Sequence, residues 1–425
     1  MRLPTALVAL VLLAASALAQ SSSNVEGALK SVTVPVTLDH DRVVVDVSIP
    51  LPDGSTKRVR GWVDNGDPDI WMSQRAAGLM GLTVSCDGQV CSGTPNSRVL
   101  SLEVLIGGMK VFLSPMRDVK VPASDSGMVP GMSAEIKIPS SVLRNYDVLI
   151  NYPDREFSIG LPGILQFKGV KTKVIVNTQN GLIQVPSQIE NKKYNLALDI
   201  GSSISFLSDE LFDKLAAANL DWPHMTGAVG PANLWGLDDE PKRKLMRLNR
   251  VQYGPLYLTD VAVVDFPKDR IEYFERRAGV STAGLLGASA LMNYRIGLDY
   301  AHSTVYFDLG RTFKFPEFDV VGLILRPEAD TRFTILGVAD IDGEPSVPTG
   351  DDGVRAGDHL VAVGEIPAAG STMGQVWSLL EGTPGQERKL TIERDGKQLT
   401  VIAKVQHFLA ESEESHAKQK SGRKN

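Results

Sequence analysis

The chain has 425 residues, 43% of them hydrophobic and 22% charged, and its 44 Lys and Arg stand against 50 Asp and Glu for a formal net charge of -6. This excludes a disordered or collagen-like polymer, and so slight an acidity leaves no overall electrostatic footprint for nucleic acid. At roughly 100 to 200 residues per domain the length predicts two to four domains. With only 6% aromatic residues but 39 Gly and 24 Pro, the composition predicts many short strands rather than long helices.

In chain order, Met1-Arg2, an apolar run from Ala6 to Ala17 and the small-x-small triplet Ala17-Leu18-Ala19 read as a signal peptide over residues 1–19, with the mature chain starting at Gln20. No later stretch approaches the ~20 apolar residues of a membrane helix, so the expectation is an exported protein, periplasmic or secreted, with no transmembrane segment after cleavage. Cys86 and Cys91 enclose Asp87-Gly88-Gln89-Val90. Asp-Gly in a short loop is a hairpin signal, and in an oxidising compartment the two cysteines are expected to form a disulfide. His40, His224, His302, His359, His407 and His416 include no pair at ligand spacing, so no metal and no cofactor are assigned.

Written against itself, the chain shows a repeat. Gly61 to Ser73 matches Leu196 to Ser208 at an offset of 135, bringing Asp64-Asn65-Gly66 onto Asp199-Ile200-Gly201. In each copy an apolar strand runs into Asp-x-Gly, and helices are predicted over Gln74 to Leu82 and Asp209 to Leu220, with Ser73 and Ser208 as N-caps. A second pair of segments, Leu143 to Tyr152 and Leu291 to Tyr300, matches at an offset of 148. Two markers in the same order imply one lobe made twice, with a loop insertion in the second copy. Gly160-Leu161-Pro162-Gly163 and Gly310-Arg311-Thr312 mark the breaks, giving lobes over 20–163 and 164–312.

Two carboxylates delivered by equivalent loops can meet across a pseudo-twofold axis. Held together they cannot both ionise easily and share a proton, so one can take a proton from water while the other polarises a peptide carbonyl. Val63-Asp64-Asn65-Gly66 with Ile70-Trp71-Met72-Ser73, and Leu198-Asp199-Ile200-Gly201-Ser202-Ser203, resemble the paired motifs of pepsin-like and retropepsin-like aspartic proteases. Leu285-Leu286-Gly287 resembles the apolar-apolar-Gly segment of such lobes, and Met128-Val129-Pro130-Gly131 its degraded partner in lobe one. The resemblance covers about residues 30 to 312. It implies a mainly β, bilobal fold, Asp64 and Asp199 as the catalytic pair, and Asn65, Gly66, Gly201 and Ser202 as their support.

Three departures stand out. The family usually has Thr or Ser after each Asp, whose hydroxyl bonds across to the other lobe; Asn65 can still hydrogen-bond and Ile200 cannot. Asp67 adds negative charge, which raises the dyad's pKa values unless it points to solvent. No Tyr lies between Asp64 and Tyr146, so the Tyr of a pepsin-like flap is missing.

From about Phe318 the texture changes. Val321 to Leu325, Thr334 to Val338, Gly353 to Val363 and Lys389 to Lys397 resemble a PDZ domain of bacterial type, placed at 313–408, with its helix over Met373 to Glu381. The resemblance implies a peptide-accepting loop at Val321, Gly322, Leu323 and Ile324. A groove closed by packing on the lobes is the other reading, with Asp340 to Asp352 as a cover. Residues 409–425 read as a disordered charged tail. The expectation is an exported aspartic peptidase acting on polypeptide, its PDZ domain binding a C-terminal peptide or regulating access. An inactive peptide-binding or scaffold protein of the cell envelope is the alternative, and the sequence leaves the oligomeric state open.

Overall fold

The computed structural model describes residues 28–51, 53–88, 90–95, 102–114, 119–123, 128–311, 318–341 and 343–409. The expected leader at 1–19 and the expected tail beyond Leu409 lie outside the described residues. The fold is mainly β, built from two related lobes and a third unit. No helix among the described residues is long and apolar enough to cross a membrane.

The two closing segments lie side by side. A six-stranded antiparallel sheet runs Ser31–Pro35, Glu156–Gly160, Asp147–Asn151, Tyr294–Asp299, Thr304–Leu309, Val170–Lys173. At its centre Leu149 pairs with Gly297, its own equivalent at the repeat offset of 148, so the pseudo-twofold axis passes between them. Asp147↔Asp299 and Asn151↔Arg295 are then images of each other.

In the first lobe the strands Ile136–Pro139, Thr56–Asp64, Arg42–Pro50, Leu102–Ile106 and Met109–Ser114 form one sheet, the first two parallel. Val43, Val45, Val47 and Ile49 face the main core, while Val44 on the opposite face packs with Trp62, Met128 and Met132. Burial on both faces is why Val43 to Val45 is a continuous apolar run, whereas from Val45 to Ile49 the strand alternates around the exposed Asp46. In the second lobe Gly284–Leu286 lies parallel to Lys192–Leu198, within an eight-stranded sheet whose strands Ile183–Ile189 and Lys244–Tyr253 also pair.

Met128 to Gly131, expected as the first-lobe partner of Leu285 to Gly287, does not occupy that place. The first-lobe counterpart of Leu285-Leu286-Gly287 is Lys137-Ile138-Pro139, since Ile138 sits beside Val63 as Leu286 sits beside Leu198. Met128 to Gly131 instead forms a turn over Trp62, and Gly131, at a φ of 71°, presents its carbonyl to the Met373 amide of the third unit at 2.7 Å.

Ser73 and Ser208 do cap helices, Gln74–Leu79 and Asp209–Ala218, by accepting the amides of Ala76 and Leu211. Cys86 and Cys91 face each other across the hairpin Leu82–Asp87/Val90–Pro95 and are bonded. A further helix, Lys268–Ala278, leads back toward the cleft and ends at Gly279.

The third unit is a sheet of Leu323–Pro327, Phe333–Val338, His359–Val363, Glu387–Arg394 and Lys397–Lys404, with the helix Met373–Leu380 opened by a Thr372/Gln375 capping box. It is no loosely tethered appendage. Its Phe318, Leu323, Ile324, Trp377 and Phe408 form one hydrophobic cluster with Phe206, Val229, Leu234 and Phe266 of the second lobe. Leu409, expected in the tail, is buried in this cluster, and its carbonyl accepts from Arg247 Nε, so the ordered unit extends one residue further.

Candidate active site

Asp64 ends the strand Thr56–Asp64, and Asp199 directly follows Lys192–Leu198, each beside the parallel strand of its lobe. This geometry carries both carboxylates to the floor of the cleft, 4% and 8% exposed. The two loops are near copies. Asp64 Oδ1 accepts from the amides of Gly66 at 2.9 Å and Asp67 at 3.2 Å; Asp199 Oδ1 accepts from Gly201 at 2.9 Å and Ser202 at 3.1 Å.

Each glycine lies against the opposite carboxylate. A Cβ on Gly66 would stand 2.1 Å from Asp199 Cγ, and one on Gly201 would stand 2.4 Å from Asp64 Oδ1. Neither glycine has a positive φ, so close approach is the reason for glycine here. Burial pushes both carboxyls above the usual carboxylate range. Asp199 is raised further, because the Asp64 charge adds to its burial, whereas the Lys137 ammonium pulls Asp64 back down.

The loops are tied across the axis by one side chain. Asn65 Nδ2 donates to the carbonyl of Leu198 at 2.9 Å, and its Oδ1 accepts the amide of Ile200 at 2.8 Å. Ile200 places a buried aliphatic side chain in the core. Ser202 supports Asp199 through its amide only, since its hydroxyl donates to Ile204 O at 2.7 Å.

Asp67, the counterpart of Ser202, is half-buried and does not lie bare beside the dyad. Lys137 Nζ reaches its Oδ2 at 2.5 Å and Arg277 Nη1 its Oδ1 at 3.1 Å. Asp69 pairs with Arg277 at 2.6 Å and with Lys120. Lys137, 2% exposed at its side chain, also stands 3.6 Å from Asp64 Oδ2. Arg277 comes from the helix Lys268–Ala278 of the other lobe, so this network closes one flank of the cleft.

The cavity above the carboxylates measures about 380 Å³, and its walls are mostly apolar: Trp71, Met128 and Val129 from the first lobe, Trp235, Phe266, Phe274 and Leu285 from the second. Sequence reasoning missed Lys137, Arg277 and most of these aromatics. Only Lys137 left a signal, as a lone charge between Ile136 and Ile138.

The expected peptide loop of the third unit lies elsewhere. Val321, Leu323 and Ile324 are buried in the cluster shared with the second lobe, and Gly322 is buried beneath Ser346 and Phe408 of its own unit. Leu323–Pro327 is the edge of its sheet, yet Leu325 is already paired: Asn233 Oδ1 accepts its amide at 2.8 Å and Asn233 Nδ2 donates to its carbonyl at 2.9 Å. The cover comes from the second-lobe segment around Ala228 to Leu234 and also from the expected Asp340 to Asp352 stretch, whose Ser346 lies against Gly322 and whose Val347 joins the same cluster.

No protein-family model matches the chain, and no curated protein matches it in sequence. Among solved structures it is similar to an aspartic proteinase from Irpex lacteus at 12% identity and a TM-score of 0.41, over 66% of this chain and 98% of that one.

Proposed function

We propose that the chain is an exported aspartic-type endopeptidase, periplasmic or secreted, that hydrolyses peptide bonds with Asp64 and Asp199. The observation that carries this reading is the mutual approach of the two loops, in which each glycine admits the opposite carboxylate. The ionised carboxylate takes a proton from water as the water oxygen attacks the scissile carbonyl carbon, while the protonated one donates to the carbonyl oxygen. Collapse of the tetrahedral adduct returns a proton to the leaving nitrogen and yields a new carboxyl and a new amine. The apolar walls around the cleft favour large apolar side chains beside the cut bond.

The third unit, in this reading, has a PDZ-like organisation whose peptide-accepting edge is used internally, with Asn233 in the place of a ligand strand. A peptide carrying a secondary alcohol in place of the scissile carbonyl tests the site. It should bind competitively and lose affinity in Asp64→Asn and Asp199→Asn; equal binding to all three proteins would remove the dyad from the reading. The rival, a polypeptide-binding scaffold without catalysis, finds its support in the one-armed loop tie through Asn65, and predicts peptide affinity that survives both substitutions.

A further inference from the structure

The two lobes differ at one position beside the carboxylates. Lys137 lies on the strand parallel to Asp64's own, and the equivalent residue beside Asp199 is the buried Leu285. The lysine stem is fixed: its backbone amide donates to Trp71 O at 2.9 Å, and its ammonium lies 5.7 Å and 5.9 Å from the ring centroids of Trp62 and Trp71. We propose that Lys137 is a positioning residue that gives the two carboxylates different tasks, holding Asp64 as the ionised, proton-accepting member and leaving Asp199 as the protonated, proton-donating one. The assignment of tasks rests on the peptidase reading above.

Charge balance points the same way. Among the described residues, the groups linked by ion pairs or across the dyad are three cations, Lys120, Lys137 and Arg277, and four carboxylates, Asp64, Asp67, Asp69 and Asp199. Together they are neutral only when one carboxylate carries a proton. Asp67 and Asp69 are each paired twice with cations, so the proton falls to the dyad. Within the dyad, Asp64 has the ammonium at 3.6 Å, while Asp199 has no ion-paired cation among the described residues and has Asp64, Asp67 and the buried Tyr152 and Tyr253 around it. Beyond Lys137, the titratable and charged groups that act on Asp64 or feel it are Asp67 in its own loop, Asp199 across the axis, Arg42 on the neighbouring strand and Tyr300 in the turn after Tyr294–Asp299. Of the two cations, only Lys137 is ion-paired with Asp64.

The test is a carboxyl titration followed by ¹³C NMR on aspartate-labelled protein, with the Asp64 resonance assigned by its loss in Asp64→Asn. An opposite charge at this range lowers a carboxyl by about 1 to 3 pH units, so Lys137→Met should raise the Asp64 midpoint by about that much, and Lys137→Arg should hold it near the parent value. Asp67→Asn removes a like charge and frees the ammonium for Asp64, so its midpoint should fall. That opposite sign keeps the test decisive if Lys137→Met does not fold. An unmoved Asp64 midpoint in folded Lys137→Met, or a rise in Asp67→Asn, overturns the proposal. In an active protein the acid limb of kcat/KM moves with the midpoint. A moved midpoint in a protein that cuts no peptide supports the lysine's hold on Asp64 and overturns the peptidase reading.

Discussion

Asn65 grips the backbone on both sides of Asp199, taking the amide of Ile200 at 2.8 Å and giving to the carbonyl of Leu198 at 2.9 Å. In a symmetric pair each lobe would send one such side chain across; here one does the work of both bonds. Asn65→Ala leaves two buried backbone groups without their partners, at a cost of about 1 to 3 kcal/mol each. Chemical denaturation should show a loss of about 2 to 6 kcal/mol, larger than Ile200→Val, which should cost about 0.5 to 1.5 kcal/mol.

The dyad should make stability fall as pH rises. Both carboxyls are raised above their ordinary value of 3.8 by burial. Between that value and the raised folded ones, the native state binds more protons than the unfolded chain. The stabilisation is therefore complete below about pH 4 and is lost through the window above it. Melting temperatures recorded across this window should decline in the parent and decline less in Asp199→Asn, which cannot ionise. A parallel decline in both would place the pH sensitivity elsewhere.

Gly66→Ala and Gly201→Ala should be worse for cleavage than for folding. Either methyl would overlap the opposite carboxylate, and relief requires the two loops to separate. A displacement near 1 Å at reacting groups can cost on the order of a hundredfold in rate. The expected result is a fall in kcat of about that size, with a circular dichroism spectrum like the parent's.

At the third unit, Asn233→Ala should free the amide and carbonyl of Leu325. Hydrogen exchange at Leu325 should rise, while exchange within Glu387–Arg394 and Lys397–Lys404, which pair with each other, should stay protected. Equal protection at Leu325 in parent and variant would show that Asn233 does not hold the edge.

What the sequence made legible was what the duplication repeats. Asp64 and Asp199 stood out because the same strand-loop-cap grammar flanks both, and the closing strands did so because their aromatic and Asn positions recur. Lys137 escaped because a charge between two isoleucines reads as the solvent face of a half-buried strand; that face turns toward the carboxylates only once Ile136–Pro139 is laid beside Thr56–Asp64. Arg277 lies on a strongly charged helix, beside Arg276, and which arginine enters the cleft depends on how the helix crosses it. The Asn233 to Leu325 pairing joins residues 92 positions apart, and nothing local to either announces the other.

Asp64 and Asp199 are proposed to cut peptide bonds together. The most direct test is kcat/KM on a peptide selected from a diverse library, measured across acid to neutral pH for the parent, Asp64→Asn and Asp199→Asn. The parent should cleave with a bell-shaped pH dependence, and each variant should lose about 10²- to 10⁴-fold. Cleavage at the parent rate by either variant, or none by the parent at any pH, would contradict the proposal.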